Sequence, residues 1–162
     1  MTDKRKRIFN WNHISDKLTE EVIEELKSYY KTHHRKCWAY KKAFKRFMNW
    51  RLLANSASIV FASGGLASTL ATGGTSLIAI STVALLIQGW IKHKNLDLKI
   101  QCCKYVYQSY QHLLNAIKDV MRSGNFKPSF IHITMKNIDD YVTDNSPIVD
   151  KYLLKYDNKF TC

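Results

Sequence analysis

A chain of 162 residues makes one domain, and with 2 Pro and 6 Gly it is neither collagen-like nor low-complexity. Its 9 Tyr, 7 Phe and 4 Trp argue for packed surfaces and exclude a disordered tail. The formal net charge of +12 favours polyanionic neighbours, either nucleic acid or the anionic face of a membrane.

Residues 1–14 read as a basic arm. Lys4-Arg5-Lys6-Arg7 is a nuclear signal, an electrostatic foot on phosphate, or a solvated terminus. No apolar stretch follows it as in a signal peptide, so a reducing setting is expected and Cys37, Cys102, Cys103 and Cys162 read as free thiols. With Cys162 as the last residue and not four from the end, prenylation is not expected.

Ser15 is the expected N-cap of a first stalk helix over 15–51, with Asp16, Glu20 and Glu21 in its opening turns. Val22, Leu26, Tyr29, His33, Cys37, Tyr40, Phe44 and Phe47 then recur every three or four residues, with one slip from the heptad. No Pro or Gly interrupts the stretch. Such a helix of about 36 residues is roughly 54 Å long.

From Leu52 to Ile91 there is no Asp, Glu, Lys, Arg or His. Gly73-Gly74 at its centre signals a turn. The block therefore divides into two apolar arms, 52–70 and 77–91. Small residues crowd the first arm, and Ser63, Gly64, Gly65, Ala67 and Ala71 are placed to let helix backbones approach closely in lipid. Both arms fall short of the roughly 20 apolar residues of a full crossing. A thin transmembrane hairpin is expected, or one that the protein's own helices shield until insertion.

Cations bound the block on both sides: Lys41, Lys42, Lys45, Arg46 and Arg51 before it, Lys92 and Lys94 after it. Trp50 and Trp90 stand at matching depth at the outer ends of the arms. Together with Trp38, Tyr40, Phe44 and Phe47 these residues read as an interfacial belt touching anionic lipid. The same mixture of aromatic and basic residues from Tyr29 to Arg51 is also compatible with stacking on nucleic acid. With basic residues outside both ends and none at the turn, both termini are expected in the cytosol.

A second stalk helix is expected over 92–123. Leu96, Ile100, Cys103, Tyr107, Tyr110, Leu114, Ile117 and Met121 form an unbroken heptad seam, and Gly124 and Pro128 end it. In the remainder, 124–162, Ile131, Met135, Ile138 and Val142 keep helical spacing. Ser146-Pro147 then restarts a short helix carrying Ile148, Tyr152, Leu153 and Tyr156. The whole predicts an all-α protein: a long antiparallel helical hairpin, a two-helix transmembrane tip and short C-terminal helices.

Sites of chemistry are sparse. His33, His34 and Cys37 lie one turn apart, and Cys103 can come near them, but these positions fall on the seams where buried cysteine is ordinary. Asp139 and Asp140 read as a solvated face. No paired carboxylates sit in an apolar stretch, and no phosphate loop or nucleophile elbow is present, so neither catalysis, metal nor cofactor is expected.

This layout of basic helix, short membrane hairpin and long helix over residues 16–142 resembles SLATT-type two-transmembrane proteins. The Ser/Ala/Gly-rich hairpin is also similar to those of apolipoprotein-L-like and colicin-like pore formers. The resemblance implies a non-enzymatic membrane protein that oligomerises and perturbs or permeabilises a bilayer. Two alternatives are a viral or mobile-element assembly protein whose basic arms hold nucleic acid, and a soluble helical interaction module with a buried hairpin.

Overall fold

The computed structural model describes residues 14–72, 75–125, 128–145 and 150–160. Those residues form five α-helices and no strand: α1 (Glu20–Thr72), α2 (Thr75–His93), α3 (Leu96–Ser123), α4 (Pro128–Asn145) and α5 (Asp150–Phe160). The basic arm through residue 13, the turn glycines Gly73 and Gly74, the Ser146-Pro147 restart and Cys162 lie outside the described residues.

α1 has 53 residues, about 80 Å of helix, and runs unbroken through the boundary expected at 51–52. Nothing in Asn49-Trp50-Arg51-Leu52-Leu53 disfavours helix, so the change from stalk to tip is a change of side chains on one continuous rod. The return path is divided. α2 ends at His93, and Asn95 takes the left-handed conformation, φ 49° and ψ 42°, before α3 begins. Asparagine tolerates that conformation better than other residues with a side chain. The amide of Lys94 bonds the Trp90 carbonyl and that of Asn95 the Lys92 carbonyl, closing the turn. The second stalk helix thus starts at Leu96 and not at Lys92.

Ser15 does not cap α1. Its amide donates to the Met121 carbonyl at 2.8 Å, and its hydroxyl accepts from Lys17 in a local turn. The helix opens five residues later, where the Ile23 amide bonds the Thr19 carbonyl and Glu20 and Glu21 occupy the first turn. The lead-in is therefore tied to the far end of α3. Gly124 completes that corner at φ 73°, its amide on the Val120 carbonyl. A Cβ there would lie 2.6 Å from Ser15 Oγ and 2.8 Å from Lys17 Cβ. Gly124→Ala should destabilise by at least about 1–2 kcal/mol, the cost of the left-handed conformation alone, read as a lower urea midpoint.

The core is the stalk. Leu26, His33 and Tyr40 of α1 are buried against Cys103, Tyr110, Leu114, Ile117 and Met121 of α3, with Cys37, Phe44, Phe47 and Tyr107 half-buried. Leu96 and Ile100 are buried nearer the Asn95 turn. Burial extends beyond the two seams: Tyr30, Ala39, Ala43, Cys102, Val106 and Leu113 are also covered. The reason is a second layer. α4 packs on α3 and α5 on α1, with Ile131, Ile138 and Tyr156 facing inward. The surface ion pair Arg35–Asp157 at 2.8 Å joins α1 to α5, and Lys36–Asp139 at 3.4 Å reaches from α1 to α4; both add little energy.

The expected transmembrane tip is corrected. Among the described residues no helix is long and apolar enough to cross a membrane. The arms expected over 52–70 and 77–91 also fall short of the roughly 20 apolar residues of a full crossing. Among the described residues, shielding by the protein's own helices is not observed either: α4 packs on α3, α5 packs on α1, and Leu53, Ile59, Val60, Leu85 and Leu86 stay exposed.

Candidate membrane-facing tip and basic collar

An isolated pair of helices buries one stripe of each and leaves the rest exposed. In the stalk that remainder is largely polar, with Leu98 and Tyr105 of α3 as exceptions; in the tip it is mostly apolar. Leu52, Leu53, Ile59, Val60 and Phe61 of α1 and Val83, Leu85 and Leu86 of α2 are exposed, Leu53 at 69% and Leu85 at 72%. A helix that is apolar on most sides needs an apolar surrounding. A polar contact joins the arms, Gln88 Nε2 donating to Ser58 Oγ at 3.2 Å. Ser63, expected at the arm contact, is exposed, and its hydroxyl donates to the Val60 carbonyl of its own helix. Gly64, Gly65, Ala67 and Ala71 lie in the last turns of α1.

The base of the tip is aromatic and cationic. Trp50 and Trp90 come together with ring centroids 6.2 Å apart. Arg46 places its guanidinium 4.7 Å from the Trp50 ring and also donates to the Tyr152 hydroxyl at 3.4 Å. Arg51 pairs with Asp97 at 3.0 Å across to α3. Lys45, Lys92 and Lys94 are exposed near them, while exposed Lys41 and Lys42 lie nine and eight residues before Trp50, further down the stalk.

The expected aromatic belt is narrower than the sequence pattern. Tyr40 is buried, Phe44 lies on Tyr107, and Trp38 meets Tyr156 edge-on while Lys42 covers its ring. Phe47 supports Trp50 from one turn below. Only the two tryptophans of this set face outward at the tip boundary, so Trp38 and Tyr40 offer no free platform for a stacked base.

The stalk holds a histidine cluster. His33 stacks on Tyr110 at 5.5 Å and its Nδ1 is buried without a hydrogen-bond partner. His34 Nδ1 lies 3.0 Å from the Tyr156 hydroxyl of α5. Asp139 of α4 accepts from Tyr110 Oη at 3.3 Å and pairs with Lys36. Burial pushes the imidazoles of both His33 and His34 below their ordinary range; Lys36 adds to this for His33 and Asp139 opposes it. Below pH 6.5 the unfolded chain binds protons that these buried rings refuse, so stability should fall as pH drops through that value and level off above it. His33→Phe keeps the ring stack and should shrink the acid-side slope of unfolding free energy; an unchanged slope would place the titration elsewhere.

Cys37, Cys102 and Cys103 are free thiols. Burial pushes Cys37 up to about 11 and Cys103 up to about 12, which keeps both protonated and unreactive at neutral pH. Cys37 Sγ is spent on the Tyr107 carbonyl at 3.6 Å. Among the described residues no three His, Cys, Asp or Glu side chains are grouped to hold a metal.

No protein-family model, curated protein or solved structure matches this chain.

Proposed function

We propose that this protein is a non-enzymatic, membrane-perturbing helical hairpin. Its tip buries in a bilayer as far as the Trp50–Trp90 pair, and the stalk stands outside as a lever and assembly surface. The observation that supports this most is the uncovered apolar surface of the tip, bounded at one level by two tryptophans and a ring of cations. Tryptophan prefers the headgroup zone, and each Lys or Arg near an anionic surface contributes about 1 kcal/mol. The arms are short, so a single hairpin sits within the bilayer without spanning it cleanly and thins the lipid around it. Several copies side by side would then disturb the barrier.

The test is flotation with vesicles of phosphatidylcholine and phosphatidylglycerol, together with release of an entrapped dye. Binding should require the anionic lipid and weaken with salt, as the collar's exposed cations are screened. Dye release should rise more steeply than linearly with protein concentration, the mark of an assembly. Absence of flotation at low salt would remove the proposal.

A further inference from the structure

Between the two arms, next to the collar, lies an open groove of about 610 Å³. Trp50, Leu53, Ala54 and Ala57 of α1 form one wall, and Val83, Leu86, Ile87 and Trp90 of α2 the other. Each set has the spacing i, i+3, i+4, i+7, so each is a single stripe over two turns of helix. The stripes run antiparallel, with the tryptophans together at the collar end. Ala54 and Ala57 make the space, because their methyl groups stand opposite branched side chains and leave the intervening volume empty. The groove falls in the roughly 300–1,000 Å³ range of small-molecule sites.

Its chemistry is lopsided. Every lining residue is apolar or aromatic, so the body of an occupant must be hydrocarbon. At the collar end the polarity inverts within one turn: Arg46 sits over the Trp50 ring and exposed Lys94 follows Trp90 by four residues. A helix of a partner would carry apolar side chains past the tryptophans into this cationic ring. An amphiphile with one hydrocarbon tail in the groove and an anionic head at Arg46 and Lys94 matches both ends.

We infer that this groove is a binding site for a single acyl chain of an anionic phospholipid, its phosphate held at the collar. The inference rests on the reading that the tip enters lipid, and goes beyond it: one lipid is held stoichiometrically between the arms, wedging them apart, while the others are bulk solvent.

Tryptophan quenching tests it. In full-length protein with Trp11→Phe and Trp38→Phe, only Trp50 and Trp90 report. The probes are phosphatidylglycerol and phosphatidylcholine brominated near the head of the acyl chains, titrated into neutral-detergent micelles. Quenching by the phosphatidylglycerol probe should saturate near one lipid per chain. Arg46→Gln should weaken that step about fivefold, the worth of one cation at an anionic head. Ala54→Phe/Ala57→Phe fills the groove with further apolar surface. It should abolish the saturable step while flotation with vesicles and helicity by circular dichroism persist. Flotation without a saturable step in the reporter protein overturns the groove site and leaves the membrane reading standing. Loss of both removes the two together. Equal saturation by phosphatidylcholine overturns the anionic headgroup. Tryptophans protected from both probes, with a crosslinked dimer through the tip, would assign the groove to a second copy instead.

Discussion

Replacing Tyr110 with alanine is expected to cost about 3–5 kcal/mol of stability, as for other buried aromatics. Tyr110 is 1% exposed and stands where three helices meet. His33 stacks on its ring, Tyr40 tilts against it at 6.2 Å, and its hydroxyl reaches Asp139 of α4. Deleting the ring leaves a cavity between α1 and α3 and cuts the tie to α4. With domain stabilities commonly about 5–15 kcal/mol, the loss is a large share of the total. Tyr110→Phe separates the two contributions. It keeps the ring and loses only a 3.3 Å bond to a carboxylate that water can also reach, so about 0.5–1.5 kcal/mol should go. Gln108 and Gln111 are exposed on the same helix, and alanine at both should stay within about 0.5 kcal/mol of the parent. Urea unfolding followed by circular dichroism in mild detergent reads all three. Equal losses in the tyrosine and glutamine variants would contradict the packing; an unchanged midpoint with lost oligomers would mean that the seam joins separate chains.

The stalk was legible because a heptad stripe has one physical meaning. Residues three and four apart share a face, and a face of Leu, Ile, Tyr and Cys must be covered. What the stripe could not report is the second layer. Tyr30, Ala43, Val106 and Leu113 lie off the seams, and their burial depends on α4 and α5 folding back from far along the chain. Local pattern carries no such information. The break at Asn95 was missed for a related reason: Lys94-Asn95 contains neither Gly nor Pro, and only the left-handed φ of Asn95 reveals the turn. Ser15 reads as a cap in the sequence because a good turn residue is also a good capping residue, and its bond to the Met121 carbonyl decides between the two. At the tip, the Trp50–Trp90 pairing is an observation of the structure, since Trp50 lies 23 residues before Gly73 and Trp90 only 16 after Gly74. The groove beside it is another, since it exists only in the register that sets Ala54 and Ala57 against Val83 and Leu86.

Placing aspartate at Leu85 is expected to weaken vesicle binding by roughly two orders of magnitude while leaving the fold intact. Leu85 is among the most exposed apolar residues of the tip and lies outside the groove lining. Its replacement therefore removes no internal packing, and the unfolding free energy should move by less than about 0.5 kcal/mol. In lipid the account reverses. An aspartate deep in the hydrocarbon costs about 2.5–3.5 kcal/mol, and each 1.4 kcal/mol is tenfold in affinity. Ile59, 67% exposed on the opposing arm, should respond alike. Leu98 supplies the contrast: it is 60% exposed but belongs to α3, on the stalk side of the collar, so Leu98→Asp should bind vesicles nearly as well as the parent. The three variants thus draw a line across the molecule at the Trp50–Trp90 pair. Flotation of Leu85→Asp at parental affinity would show that the tip stays out of lipid, and its exposed leucines would then have to be covered by protein.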